Sequence, residues 1–165
     1  MKKQFLFLLT LMLPLSSCSR YPNTIKTFDQ EAYNQDVVKY RGYDSYQEID
    51  EKIDDCKINT YLVRDEDKFI YTIQIEYKDT YLSSLKAIMI PSSYQDESVI
   101  LPCLGYSDDL NLASEKNQKL GEYPGFNLSY KTSIKDLKFY FFITYSSQEK
   151  EEHIYKISSF TELGE

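Results

Sequence analysis

His153 is the only histidine in 165 residues, so serine–histidine or cysteine–histidine catalysis would have a single base to work with. It follows Glu151 and Glu152 in a stretch that reads as strand, and no nucleophile or orienting partner is signalled beside it, so a solvated side chain is the reading. Zinc chemistry needs ligands at short, repeated intervals, and neither a C-x-x-C nor an H-x-x-x-H spacing occurs. Carboxylates are abundant in three places, residues 50–55, Asp65-Glu66-Asp67 and Asp108-Asp109. None has the ligand spacing and glycine turn that gather six or more oxygens around calcium, and a solvated acidic face accounts for them. Phosphate loops, G-x-S-x-G elbows and H-E-x-x-H runs are absent as well. The sequence therefore assigns no catalytic residue, no metal ligand and no cofactor.

The sharpest chemical signal is a thiol near the start. Lys2 and Lys3 precede an apolar run from Phe5 to Leu13 broken only by Thr10, and Leu15-Ser16-Ser17-Cys18 follows. A basic start, a short apolar stretch and small residues at the end are the parts of a secretory signal peptide. The run is too short for a membrane span, which takes about 20 apolar residues. Leu15-Ser16-Ser17-Cys18 resembles the lipobox of bacterial lipoproteins. That resemblance implies cleavage before Cys18, diacylglycerol on its sulfur and acylation, for example by palmitate, of the new terminus. It covers only the processing segment, and the mature region resembles no known family. The organisation expected is a signal peptide at 1–17, a lipidated tether at 18–27 and one globular domain at 28–165. Removal of Lys2 and Lys3 would take the formal charge from -7 to -9, so the domain surface has no attraction for anionic lipid and the anchor supplies the affinity. The location implied is the extracytoplasmic face of a cell membrane or outer membrane.

With Cys18 lipidated, Cys56 and Cys103 remain, an even number in an oxidising compartment. Two readings stay open: a disulfide closing a long loop, or two small buried hydrophobes. Tyrosine is the other unusual feature, at 16 residues. A tyrosine offers a rigid apolar ring with a polar tip, suited either to an interface or to roofing a core with the hydroxyl in water. Tyr40, Tyr43 and Tyr46 cluster between helical segments, and Tyr94, Tyr106 and Tyr123 fall in or beside loops. The partner-binding residues expected are Tyr106, Asp108, Asp109 and Tyr123, because residues 106–125 form the longest irregular connection, either functional or a disordered insertion. The Tyr40-Tyr43-Tyr46 cluster is the next candidate.

The elements that must position these groups follow from periodicity. Thr27 to Gln30 has capping-box spacing, and Tyr33, Val37 and Tyr40 recur at helical intervals up to Gly42. Ser45 to Glu48 repeats that spacing before Ile49, Ile53 and Cys56, predicting a second, acidic helix. From residue 57 the period becomes two. Residues 59–64 and 68–77 read as a hairpin with a charged tip, and the segments with Leu85-Ala87-Met89, Val99-Leu101-Cys103, Phe126-Leu128-Tyr130, 137–145 and 154–160 complete about seven strands. With no helices between them for parallel crossovers, the expected fold is mainly β, an antiparallel sandwich or curved sheet behind one or two short helices.

Composition sets the outer limits. Hydrophobic residues make up 42%, enough for a core, and a net charge of -7 without a basic cluster argues against nucleic acid. The expectation is a lipid-anchored, non-enzymatic module of the bacterial envelope that binds a protein partner. An immunity-type lipoprotein neutralising a secreted toxin is one example, by analogy alone. The alternatives are a structural subunit of an envelope or secretion complex and an envelope hydrolase using carboxylates.

Overall fold

Among the described residues ten strands and one helix stack in three layers: helix, sheet, sheet. The computed structural model describes residues 27–41, 53–93, 99–115, 118–119, 121–147, 150–157 and 159–163. In chain order they form α1 (Gln30–Arg41), β1 (Cys56–Asp65), β2 (Lys68–Tyr77), β3 (Ser83–Pro91), β4 (Cys103–Leu104), β5 (Asn111–Leu112), β6 (Glu122–Tyr123), β7 (Gly125–Thr132), β8 (Phe139–Ser146), β9 (Lys150–Ile157) and β10 (Thr161–Glu162). One sheet runs β10-β1-β2-β7, the other β4-β3-β8-β9, and β5 and β6 make a two-stranded ribbon. The fold is mainly β and sandwich-like, as expected. The expected strand at Val99 shrinks to the two residues of β4, since Val99 and Ile100 are exposed and contact with β3 begins at the Pro102 carbonyl, which accepts from the Met89 amide.

The β1–β2 hairpin shows how pattern becomes register. Leu62 pairs with Tyr71, Thr60 with Ile73 and Ile58 with Ile75, so the apolar face of β2 meets the matching face of β1 and continues onto Leu128 and Tyr130 of β7. Glu66, at the hairpin tip, holds φ 56°, the left-handed region that a non-glycine residue enters at a tight turn. The long pairings are antiparallel. Two short ones are parallel, β1 with β10 and β5 with β6, which the all-antiparallel expectation did not foresee. Each spans two residue pairs, short enough to arise from chain segments returning alongside rather than from a helical crossover.

Between the sheets lie Leu62, Tyr71, Ile73, Ile75, Leu85, Met89, Leu128, Phe139, Phe141 and Ile143, all buried. On the far side of β3 and β8 a second apolar layer contains Ile88, Ile90 and Phe142, roofed by Tyr33 and Tyr40 of α1 together with Leu101 and Tyr106. Residues 87–91 are consequently buried on both faces, where alternation alone predicts one. The helix begins two residues later than the capping-box reading placed it. Asp29, not Thr27, is the cap: its Oδ1 accepts from the Ala32 amide at 3.0 Å and its carbonyl from the Tyr33 amide at 3.0 Å. The second expected helix lies mostly outside the described residues, but its final part is not helical, because Cys56 already opens β1. Among the described residues no helix is long and apolar enough to cross a membrane.

Candidate functional site

The four residues expected to form one loop surface go to different places. Tyr106 is buried at 5% exposure, packed edge-on to Tyr33 with ring centroids 5.6 Å apart. Its hydroxyl donates to Asp36 Oδ2 at 2.8 Å and its carbonyl accepts from the Asp29 amide, so it ties the loop to the start of α1. Burial first, and the Asp36 carboxylate second, push its phenol well above the usual tyrosine range. A tyrosine so engaged is a roof element and offers no ring to a partner. Asp108 and Asp109 are exposed and line a groove of about 380 Å³ with Thr27, Asp29, Lys86 and Ser107.

The connection from Tyr106 to Gly125 is not a free insertion. The Leu85 amide donates to the Leu110 carbonyl at 2.8 Å, and Leu82 and Leu112 exchange both backbone bonds. β5 and β6 then pair, and Leu112 is fully buried. The hydrophobes at 110 and 112 were the available signal that this polar stretch is pinned to the core. Gly105 lets the chain enter: at φ +79° it passes so close that a Cβ there would collide with the Leu85 carbonyl.

Pinning the loop presents Tyr123 on the surface, 43% exposed, its ring 5.2 Å from Phe126. Tyr81, 47% exposed, adjoins Leu82, which bridges to Leu112 beside the β5–β6 ribbon, and its side chain lies against Glu122. Partial desolvation and the neighbouring Glu122 carboxylate raise the Tyr81 phenol above its ordinary value. Past Phe126, on which the Tyr123 ring packs, opens a groove of about 600 Å³, lined by Gln74, Glu76, Tyr77, Ser114, Glu115, Pro124, Gly125, Phe126 and Asn127. Glu76 is bound to Lys57 and Asn59, each at 3.2 Å. This surface combines exposed rings with carboxylates at its margin, the composition of a contact patch. Tyr81 and Glu122 escaped the sequence reading because nothing local marks them; only the pairing of residues 82, 112 and 123 assembles them.

No family model matches this chain, and no characterised protein or solved structure matches it either. The site is therefore read from its geometry. Cys56 and Cys103 are free thiols. They sit on opposite sides of the second sheet, Cys56 in the layer between the sheets and Cys103 against the layer under α1, so the disulfide reading gives way to that of two small hydrophobes. Burial pushes the Cys56 thiol up to about 12 and that of Cys103 up to about 11, which makes both poor nucleophiles near neutrality. Of the other tyrosine cluster, Tyr40 is buried, stacked on Phe142 with centroids 3.9 Å apart, while Tyr43, Tyr46 and Tyr94 lie outside the described residues. His153 pairs by register with Ile143 in β9.

Proposed function

We propose that this chain is a lipid-anchored binding module on the extracytoplasmic face of a bacterial cell membrane or outer membrane, held there by lipid on Cys18. It captures a protein partner through the surface around Tyr81 and Tyr123. The observation that carries the binding reading is the exposure of the Tyr81 and Tyr123 rings, Tyr123 packed on the Phe126 edge of the large groove, in a fold that buries Tyr33, Tyr40, Tyr71, Tyr106 and Tyr145. Large rings left in solvent cost hydration, and they cluster where a partner will cover them. The anchor reading rests on the order of Lys2-Lys3, the apolar run and Leu15-Ser16-Ser17-Cys18.

Two measurements test the two halves. Metabolic labelling with a fatty acid should mark the wild type and leave Cys18→Ala unlabelled and unprocessed; equal labelling overturns the anchor. Affinity capture from envelope and secreted fractions should recover a stoichiometric protein with the wild type and lose it with the Tyr81→Ala/Tyr123→Ala double variant. Equal recovery by both moves the contact surface elsewhere.

A further inference from the structure

The β7 strand ends its sheet, and among the described residues nothing pairs with its far side. The register shows which groups are left over. The Tyr77 amide donates to the Pro124 carbonyl at 2.7 Å, and Ile75 pairs with Phe126 and Ile73 with Leu128, so the even-numbered residues of β7 turn their backbone groups toward β2. The amides and carbonyls of Gly125, Asn127, Ser129 and Lys131 therefore point off the open edge. Side chains at these four positions share the outer face of the sheet, as the Ser129–Thr72 hydroxyl contact at 2.9 Å shows. Those at 126, 128 and 130 lie on the core side, where Phe126 and Tyr130 are only partly covered.

Natural edge strands are usually blunted by proline, a bulge or brevity. β7 has none of these: it runs eight residues in unbroken register with no proline, and its one lysine, Lys131, is ion-paired to Asp65. The 600 Å³ groove opens at its N-terminal end, walled by Ser114 and Glu115. We infer that β7 is a strand-addition site: an extended, cationic segment of the partner pairs along Gly125–Lys131 and continues that sheet. Its alternate side chains would meet two chemistries. Apolar ones cover Phe126 and Tyr130 on the core side, and cationic ones face the outer surface, where Glu115 lines the groove beside the Glu76–Lys57 ion pair. The charge balance of 26 acidic to 19 basic residues favours such a segment over a second copy of this chain, which would bring like charge to like. This inference rests on the binding-module reading and names the mode of contact.

The test is binding of a fluorescent eight-residue peptide of alternating lysine and valine to the full chain, followed by anisotropy. The same peptide N-methylated at alternate backbone nitrogens keeps the charge and loses the donors that pair with an edge. The expected result is at least tenfold weaker binding of the methylated peptide. Asn127→Pro removes an outward-pointing donor while leaving the bonds to β2, so it should weaken the unmodified peptide at least tenfold with an unchanged denaturation midpoint. Should Asn127→Pro unfold the domain, the methylated peptide still decides. Equal binding of both peptides, or no binding of either by the wild type, overturns strand addition. Loss of capture by the Tyr81/Tyr123 variant reports separately on the binding reading.

Discussion

The two faces of the β3–β8 sheet carry apolar layers of different size and chemistry. Toward the other sheet the contacts are mainly aliphatic and phenylalanine, with Phe139, Phe141, Ile143 and Met89 fully buried beside Tyr71 and Tyr145. Toward α1 the layer is tyrosine: Tyr33, Tyr40 and Tyr106, with the Tyr33 hydroxyl accepting from the Leu101 amide at 2.8 Å and the Tyr106 hydroxyl donating to Asp36. A 12-residue helix such as α1 gains little from propensity and is held by its packing. Tyr33 and Tyr106 suit that thin layer because each ring packs inward while its hydroxyl bonds a backbone or carboxylate group at the rim. The deep layer sets stability, and the shallow layer fixes the helix and the 105–112 segment.

The sharpest way to break the contrast is to hollow out each layer in turn. Phe141→Ala removes a ring with no exposed surface and should cost about 3–5 kcal/mol, read from the denaturant midpoint. Tyr40→Ala removes the ring stacked on Phe142 from the shallower layer and should cost less, about 2–3 kcal/mol. Helical circular dichroism should be lost before the β signal in the second variant and together with it in the first. Coincident loss in both would make the two layers one cooperative unit.

This contrast also explains what the sequence made legible. Tyr71, Ile73 and Ile75 alternate with Thr72, Gln74 and Glu76, so a strand buried on one face declares itself, and the β1–β2 hairpin was readable to its tip. Residues 87–91, covered on both faces, look one-sided only because Lys86 and Leu85 begin the pattern. The tyrosines were the hardest to place, since the same residue roofs a core at position 106 and stands in solvent at 123. Which it does depends on Asp36 and Asp29, about 70 positions away in the chain. Tyr81 and Glu122 join Tyr123 only through the bridge at Leu82 and Leu112, a long-range pairing that no local period encodes.

A finer probe separates the hydroxyl from the ring. Tyr106→Phe keeps the packing against Tyr33 and deletes the bond to Asp36, so it should cost about 1–2 kcal/mol at pH 7. The pH dependence has a definite sign. Cys56, Cys103 and Tyr106 are all raised in the folded state, so their contribution is complete below the ordinary thiol value of 9.0. As pH climbs above that, the unfolded chain releases protons that the folded chain retains, and stability is lost up to the folded values of about 11 and 12 for the two thiols. The denaturant midpoint should be flat near pH 8 and fall from about pH 9 upward. Cys56→Ala should make that fall shallower, and an unchanged slope would show the thiol to be solvated.

The smallest expected effect on stability is the most informative about function. Tyr123 is 43% exposed and touches Phe126 along one side, so Tyr123→Ala forfeits one aromatic contact, about 0.5–1 kcal/mol. Tyr106→Ala, by comparison, opens a hole between α1 and the loop and should cost about 3 kcal/mol or more. If exposed rings serve a partner and buried ones serve the fold, the two substitutions dissociate. Tyr123→Ala should leave the denaturation midpoint nearly in place and lower partner capture, whereas Tyr106→Ala should lower the midpoint and affect capture only as far as unfolding does. Charge at the loop tip gives a third arm: Asp108 and Asp109 are exposed, and changing both to asparagine should move stability by no more than about 0.5 kcal/mol. Any effect of that pair on capture should then shrink as salt is raised, because exposed charges act at a distance that salt screens. Capture that survives Tyr123→Ala but fails with the asparagine pair would shift the contact from the rings to the groove beside Lys86 and Ser107.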